Sequence, residues 1–339
     1  MLTDDLTFSK VLERIEEEKN APLKVAIMGQ TGVGKTSLVN ALFNAQLKKG
    51  PVEPTTQEIM ELEFKKDGHK LSFYDLPGIG ESKGKDIEYI RGYRQKLIES
   101  DVVLWAIHVD SRSFVYDLDA LNKILKTADE QFEEHLFRKI TFVLTKADLL
   151  VEDYEASAPW ILADFGEYAT FTPRKPTKDL LVWKEAYIQK IFILPRNDVL
   201  VSQTFCDENF EIEAPGLSYD QDHVYYQGVL DEENLAMFVK DYPQQRAVFE
   251  RLYNNYRVIS CSARFQYNLD LLMEAITSKL DLSASLKFSN FFTRDVLSKV
   301  SIAKARKCSN LIVVDQVNKR VIFDLARLTL SGSDLSDSK

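Results

Sequence analysis

Cysteine is scarce and scattered in this chain. Cys206, Cys261 and Cys308 are the three among 339 residues, and their spacing suits neither a metal site nor a disulfide framework. That usage points to a reducing cytosol. Long apolar runs are missing too. The longest candidate, Val102-Val103-Leu104-Trp105-Ala106-Ile107, has the length of a buried strand and not of a membrane span. Met1-Leu2-Thr3-Asp4-Asp5 lacks a basic segment followed by an apolar one, so no secretory leader is expected and the chain reads as cytoplasmic. There is no internal repeat, and no basic, aromatic-interleaved patch of the kind that binds nucleic acid; no DNA partner is expected. Lys and Arg are absent from Asn197 to Val239, where Asp198, Asp207, Glu208, Glu211, Glu213, Asp220, Asp222, Asp231, Glu232 and Glu233 lie. Those ten charges exceed the net charge of −9, so the rest of the chain is close to neutral.

A hydrophobic content of 45 % is ample for a core. Apolar segments at Leu23–Met28, Ile59–Lys65, Lys70–Leu76, Val102–Val109, Ile140–Thr145 and Arg257–Cys261 alternate with helical patterns. That alternation predicts an α/β fold with a doubly wound, mostly parallel sheet.

After the first strand comes Gly29-Gln30-Thr31-Gly32-Val33-Gly34-Lys35-Thr36-Ser37, which fits G-x-x-x-x-G-K-[ST] and runs into a helix with apolar Leu38, Val39, Leu42 and Phe43. A loop between strand and helix aims successive backbone N–H groups and the positive end of the helix dipole at one anion. Gly34 permits close approach of the backbone, Lys35 brings charge to the β- and γ-phosphates, and the Thr36 hydroxyl suits Mg²⁺. The base is addressed by Thr145-Lys146-Ala147-Asp148 at the end of an apolar strand. The Asp148 carboxylate can accept from guanine N1–H and its 2-amino group, whereas adenine would leave it unpaired at about 1–3 kcal/mol or more. Lys146 can lay its stem across the base. Asp75-Leu76-Pro77-Gly78 supplies a carboxylate for a Mg²⁺-bound water and an N–H, that of Gly78, to sense a γ-phosphate. Pro54-Thr55-Thr56-Gln57 offers a hydroxyl, from Thr55 or from Thr56, that completes the metal shell when GTP is present. Ser262-Ala263 ends the last short strand, at the usual place for contacts to the guanine carbonyl.

Together these five motifs resemble the translation-factor-related class of P-loop GTPases over roughly residues 22–150 and 256–282. Within it, G-Q-T-G-V-G-K-T and D-L-P-G-I-G look most like the Era-like and septin-like side, including bacterial relatives of immunity-related GTPases. The resemblance implies GTP/GDP and Mg²⁺ as cofactors, slow hydrolysis, and switch segments at about 48–58 and 76–90. It assigns Lys35, Thr56 and Gly78 to catalysis and Thr36, Thr56 and Asp75 to the metal. Nucleotide contacts are expected from residues 29–37, Thr55, Thr56, Asp75, Gly78, Thr145, Lys146, Asp148, Ser262 and Ala263.

Four positions depart from the pattern. Ile79 stands where Ras-like members place a water-orienting Gln, and Gly32 where potassium-activated members carry Asn. Thr145 replaces the commoner Asn and, being smaller, is expected to brace the phosphate loop less well. Thr31 adds a side chain that tends to obstruct an arginine finger. Acceleration is therefore expected from a homodimer across the nucleotide face or from another partner, with Glu81 or Ser82 as water positioners.

The expected organisation is an N-terminal helix (1–21), the nucleotide-binding domain (22–150 and 256–282), an insertion (151–255), a C-terminal α+β extension (283–330) and a flexible tail (331–339). A helix is predicted over Thr177–Phe192. The acidic part of the insertion reads as a solvated, partly mobile segment or as a docking surface for a basic partner. Asp220 and Asp222 beside His223 do not make a spaced ligand set. Leu286, Phe288, Phe291, Phe292, Val296 and Val300 form an apolar stripe flanked by Lys287, Arg294, Lys299, Lys304, Arg306 and Lys307. Packing on the core is the favoured reading; contact with an anionic membrane is the other. Leu311–Val314 and Arg320–Phe323 around Asn318-Lys319 predict a hairpin.

Overall fold

The computed structural model describes residues 10, 13–43, 45, 47, 60–66, 68–76, 86–111, 114–126, 130–150, 159–164, 169–206, 210–220, 223–280, 282–291, 312–315 and 320–324. Its centre is a six-stranded sheet of β1 (Leu23–Met28), β2 (Met60–Lys66), β3 (His69–Leu76), β4 (Val102–His108), β5 (Ile140–Thr145) and β11 (Ile259–Ser260), in the order β11-β5-β4-β1-β3-β2. Only β2 runs antiparallel within it. The sequence explains that edge. Met60 to Lys66 alternates, with Glu61, Glu63 and Lys65 exposed and Leu62 and Phe64 packed on the core, so charge covers the open strand edge. The inner strands β4 and β5 are apolar on both sides and buried almost throughout.

Helices cover both faces. On one side α1 (Lys35–Phe43), α8 (Leu269–Thr277) and α9 (Leu282–Ser289) bury Leu38, Leu42, Phe43, Leu272, Ile276 and Phe288. On the other, α2 (Asp86–Glu99), α3 (Val115–Leu125), α4 (Glu130–Lys139) and α5 (Lys175–Ile188) pack Leu97, Leu121, Phe137 and Leu181 around Trp105 and Phe142. This is the doubly wound α/β architecture, with its ligand crevice at the carboxyl ends of the parallel strands.

The insertion is folded. A hairpin of β6 (Trp160–Asp164) and β7 (Ala169–Pro173) leads into α5. Beyond α5, β8 (Val201–Phe205), β9 (Leu217–Tyr219) and β10 (His223–Gln227) form a second sheet in the order β8-β10-β9. It packs against α6 (Glu232–Asp241) and α7 (Arg246–Asn254) around Phe210, Val224, Phe238, Phe249 and Leu252. The Phe238 and Phe249 rings stack at 4.8 Å. Reading this stretch as merely solvated misses that core, because the charges sit on exposed positions such as Glu211, Glu213, Asp231, Glu232 and Glu233 between the buried ones. Asp220 caps its own turn, accepting from the His223 N–H (2.8 Å) and the Tyr225 hydroxyl (2.8 Å). Among the described residues no group of three or more His, Cys, Asp or Glu could hold a metal ion; Asp222 lies outside them.

The C-terminal stripe packs inward as far as it is described. Phe288 sits edge-on to Phe43 at 5.9 Å, Phe291 is buried, and Lys287 pairs with Asp101 at 3.0 Å. The Ser283 hydroxyl reaches Glu18 of the N-terminal helix (2.6 Å). Residues 292–311, with most of the predicted basic flank, lie outside the described residues. The hairpin forms between Ile312–Asp315 and Arg320–Asp324. No helix among the described residues is long and apolar enough to cross a membrane.

Candidate nucleotide site

The loop between β1 and α1 owes its shape to three glycines with positive φ, at Gly29 (133°), Gly32 (80°) and Gly34 (104°). At Gly29 a Cβ would lie 2.1 Å from the Ala106 carbonyl oxygen, so the loop can leave β1 only where β4 passes a residue without a side chain. Leu38 N–H donates to Gly34 O (2.9 Å), fixing α1 directly after the loop. The free N–H groups of the first helical turn therefore face the crevice.

Lys35 Nζ donates to Gly29 O (2.8 Å) and lies 3.4 Å from Asp75 Oδ1 at the end of β3. That carboxylate oxygen is closed to solvent and forms no hydrogen bond. A buried carboxylate oxygen left without a hydrogen bond, at the strand end facing the loop, suits a hard cation that takes oxygen ligands. The residues present thus fit Mg²⁺: Asp75 and the hydroxyl of Thr36 at the start of α1 are the groups that would hold it or its water.

The base side is assembled from β5 and β11. Thr145 Oγ1, fully buried, donates to Val33 O at 2.6 Å, with Ile107 O 3.1 Å away. Though smaller than asparagine, this side chain reaches the phosphate loop through its hydroxyl. Lys146 adopts the left-handed region (φ 58°, ψ 41°) and donates to Gly32 O at 2.7 Å, its stem passing beside Gly34. That conformation strains a lysine but turns its stem over the loop and places Asp148 two residues on. Asp148 Oδ1 accepts from Ser262 Oγ at 2.6 Å, leaving acceptor capacity for a base. Ser262 N–H is taken by Tyr267 O (3.1 Å), so the backbone donor for a guanine carbonyl falls to Ala263.

His108, opposite Thr145 in the sheet, is held below its usual pKa by burial and then by the Lys146 charge. Thr55, Thr56, Gly78, Ile79, Glu81 and Ser82 lie outside the described residues. The structure brings together residues 29–37, Asp75, Thr145, Lys146, Asp148, Ser262 and Ala263.

Two supporting carboxylates escaped the sequence reading. Asp117 in the first turn of α3, 4 % exposed, accepts from Gln30 Nε2 (2.7 Å) and from Trp105 Nε1 (2.9 Å). A carboxylate only accepts, so the Gln30 amide nitrogen must face it. Glu185 of α5 accepts the Ser260 N–H at 2.7 Å, and burial raises its pKa, opposed by that hydrogen bond. In sequence both look like ordinary solvated helix acids. Only the fold turns them inward.

A family model described as "50S ribosome-binding GTPase" matches residues 24–146. Over residues 24–146 the chain is therefore similar to P-loop GTPase domains. Protein YkfA of Escherichia coli (strain K12), itself uncharacterised, is 33 % identical over 140 residues, covering 41 % of this chain and 46 % of that protein. GTPase Der of Synechocystis sp. is 28 % identical over 143 residues, 41 % of this chain and 30 % of that one. The chain thus spans about half the length of YkfA, or less for Der. Toc33 from Arabidopsis thaliana, crystallised with GDP and Mg²⁺, aligns with a TM-score of 0.41 and 15 % identity over 80 % of this chain and 90 % of that one.

Proposed function

We propose that this protein is a Mg²⁺-dependent GTP-binding switch that hydrolyses GTP to GDP and phosphate. The observation that carries the reading is the convergence of Lys35 and the solvent-shut Asp75 Oδ1 on the phosphate side with Asp148, fixed by Ser262, on the base side. Residues 29–37 would wrap the phosphates, Lys35 would move from Gly29 O to the β/γ-oxygens, and Asp148 would select guanine. A Mg²⁺ held by Thr36, Asp75 and a switch threonine (Thr56, followed by polar Gln57, or Thr55) would neutralise charge developing on the transferred phosphoryl group. The Gly78 N–H would report the γ-phosphate. The relative named GTPase Der supports the hydrolytic reading. Placement on the Era-like and septin-like side rests on the two motifs alone and belongs to this proposal.

Hydrolysis by the isolated subunit is slow in this account. Ile79 is apolar, and the Gln30 amide is tied to Asp117. Acceleration comes from pairing of two copies across the nucleotide face or from a partner, for which the exposed acids of the insertion offer a surface. The same two residues favour a second reading, a module that holds GTP with vestigial hydrolysis. Turnover measured against protein concentration, with GTP and with ATP, separates them. We expect GTP-specific turnover of about 10⁻³ s⁻¹ or less in dilute solution, rising with concentration. Flat specific activity over a hundredfold range rules out self-activation; absence of turnover at every concentration leaves the holding module.

A further inference from the structure

The loop that follows β11 carries an unusual amount of support from the insertion. Two of its side-chain-bearing residues, Gln266 (φ 53°) and Asn268 (φ 54°), occupy the left-handed region. Residues of this kind persist there only when their surroundings hold them. Inside the loop the hold is modest: Ser262 and Tyr267 exchange backbone hydrogen bonds at 3.1 Å, Phe265 N–H donates to Ser262 Oγ at 3.0 Å, and Asn268 Nδ2 donates to Ser260 O at 3.0 Å.

The rest comes from the β6–β7 hairpin. Phe171 lies flat on Phe265, with centroids 4.0 Å apart and planes within 9°. Trp160 sets its edge against Phe265 (5.4 Å, 76°) and Tyr267 (4.9 Å, 80°). Stacked and edge-to-face rings fix both distance and angle, which aliphatic contacts do not. The hairpin is itself anchored, since Arg174 N–H donates to Pro159 O (2.9 Å) and α5, directly following, holds Ser260 through Glu185. One segment of the insertion therefore grips the loop at Ser260, Phe265 and Tyr267.

We propose that Phe171 and Trp160 are positioning residues for the guanine-reading loop. They keep residues 262–267 in the conformation that aims the Ala263 N–H at the guanine carbonyl, and so set the rate of nucleotide release and selectivity at that one position of the base. The inference rests on the guanine-binding reading of the site. Asp148, which reads the neighbouring N1–H and 2-amino group on the same edge of the base, is carried by the turn after β5 and meets this loop only at its start, through Ser262, so it leans far less on the hairpin rings. A preorganised donor loses its value when its loop is free to move by a fraction of an ångström.

The test uses the full chain and stopped-flow release of N-methylanthraniloyl-GDP. Affinities are also measured for GDP, for the 2-aminopurine riboside diphosphate, which lacks the carbonyl and with it the N1–H (a loss at Asp148 common to parent and variants), and for IDP, which lacks the 2-amino group. Phe171→Ala should release nucleotide at least tenfold faster. It should shrink the GDP preference over the 2-aminopurine analogue at least fivefold and leave the preference over IDP within twofold. Trp160→Ala should act the same way. If Phe171→Ala fails to fold, Phe171→Leu, which keeps bulk and removes the stack, should show the same selective loss. A role in stability alone would weaken all three nucleotides alike, and that result overturns the proposal, as does release within twofold of the parent in both variants. A parent chain that binds no GDP overturns the guanine-binding reading as well, whereas GDP-binding variants indistinguishable from the parent overturn the brace alone.

Discussion

The nucleotide-binding domain and the insertion are built on different kinds of information. In the first, each chemical task falls to a short run of residues at the end of a strand: a glycine loop after β1, a carboxylate after β3, T-K-x-D after β5. The acidic insertion holds together through contacts between residues far apart in the chain, such as Phe210, Phe238 and Phe249 around the β8–β10 sheet. The contrast teaches that a site made of backbone N–H groups and strand ends leaves a local signature. A brace made of stacked rings leaves none.

The sharpest way to break the comparison is to remove the insertion's core. Phe249 is fully buried and touches three rings, Phe210, Phe238 and Tyr242. Phe249→Ala should cost about 3–5 kcal/mol in the unit that contains it. If the two regions are as distinct as their cores, a first unfolding transition should appear in calorimetry while GDP affinity at the main site changes by less than about threefold. Simultaneous loss of both would show one cooperative unit.

Next comes the phosphate side. Lys35→Ala should weaken GTP binding and turnover by about 10²–10³-fold, the usual cost of a preorganised charge donor, with the melting temperature of the nucleotide-free protein changed little. Nucleotide titration and a thermal melt check it together.

The seam between the regions gives a pH-dependent effect. Lys279, half-buried just beyond α8, donates to Ile140 O and to Thr141 Oγ1 (3.2 Å) under the Tyr256 ring, whose hydroxyl in turn reaches Val201 of the insertion. Burial lowers its pKa to about 7 from 10.5. The unfolded chain then binds more protons than the folded one between pH 7 and 10.5, so this group makes stability rise with pH, by at most about 1.4 kcal/mol per unit. Lys279→Met should flatten that slope. Denaturant midpoints of both proteins at pH 7, 8 and 9 are the measurement, and parallel curves would refute the burial of a neutral amine.

The smallest effect belongs to Thr145. Thr145→Val removes the hydroxyl bond to Val33 O and should cost about 1 kcal/mol in GDP affinity, roughly fivefold. An unchanged affinity by calorimetry would mean the loop is held without it.

Much of the fold was legible. Parallel-type apolar runs at Leu23–Met28, Val102–Ile107 and Ile140–Thr145 became β1, β4 and β5 almost residue for residue, because strands buried on both faces admit few polar positions. The helix expected at Thr177–Phe192 begins at Lys175 and passes into a π-turn at Gln189–Ile193. The residues singled out after β1, β3, β5 and β11 converge on one crevice. What stayed hidden was everything that depends on approach between distant segments: Asp117 under Gln30, Glu185 against β11, Phe171 on Phe265. No local pattern distinguishes those side chains from solvated ones.

On the proposed function, Asp148 with its Ser262 partner makes this a guanine site. Isothermal titration of the Mg²⁺-supplemented protein with GDP and with ADP tests it most directly, alongside Asp148→Asn and xanthosine diphosphate. GDP should bind at least about 100-fold tighter than ADP, the equivalent of about 2.7 kcal/mol, and Asp148→Asn should exchange guanine for xanthine preference. Equal affinity for GDP and ADP, or an Asp148→Asn variant with unaltered base preference, would contradict it.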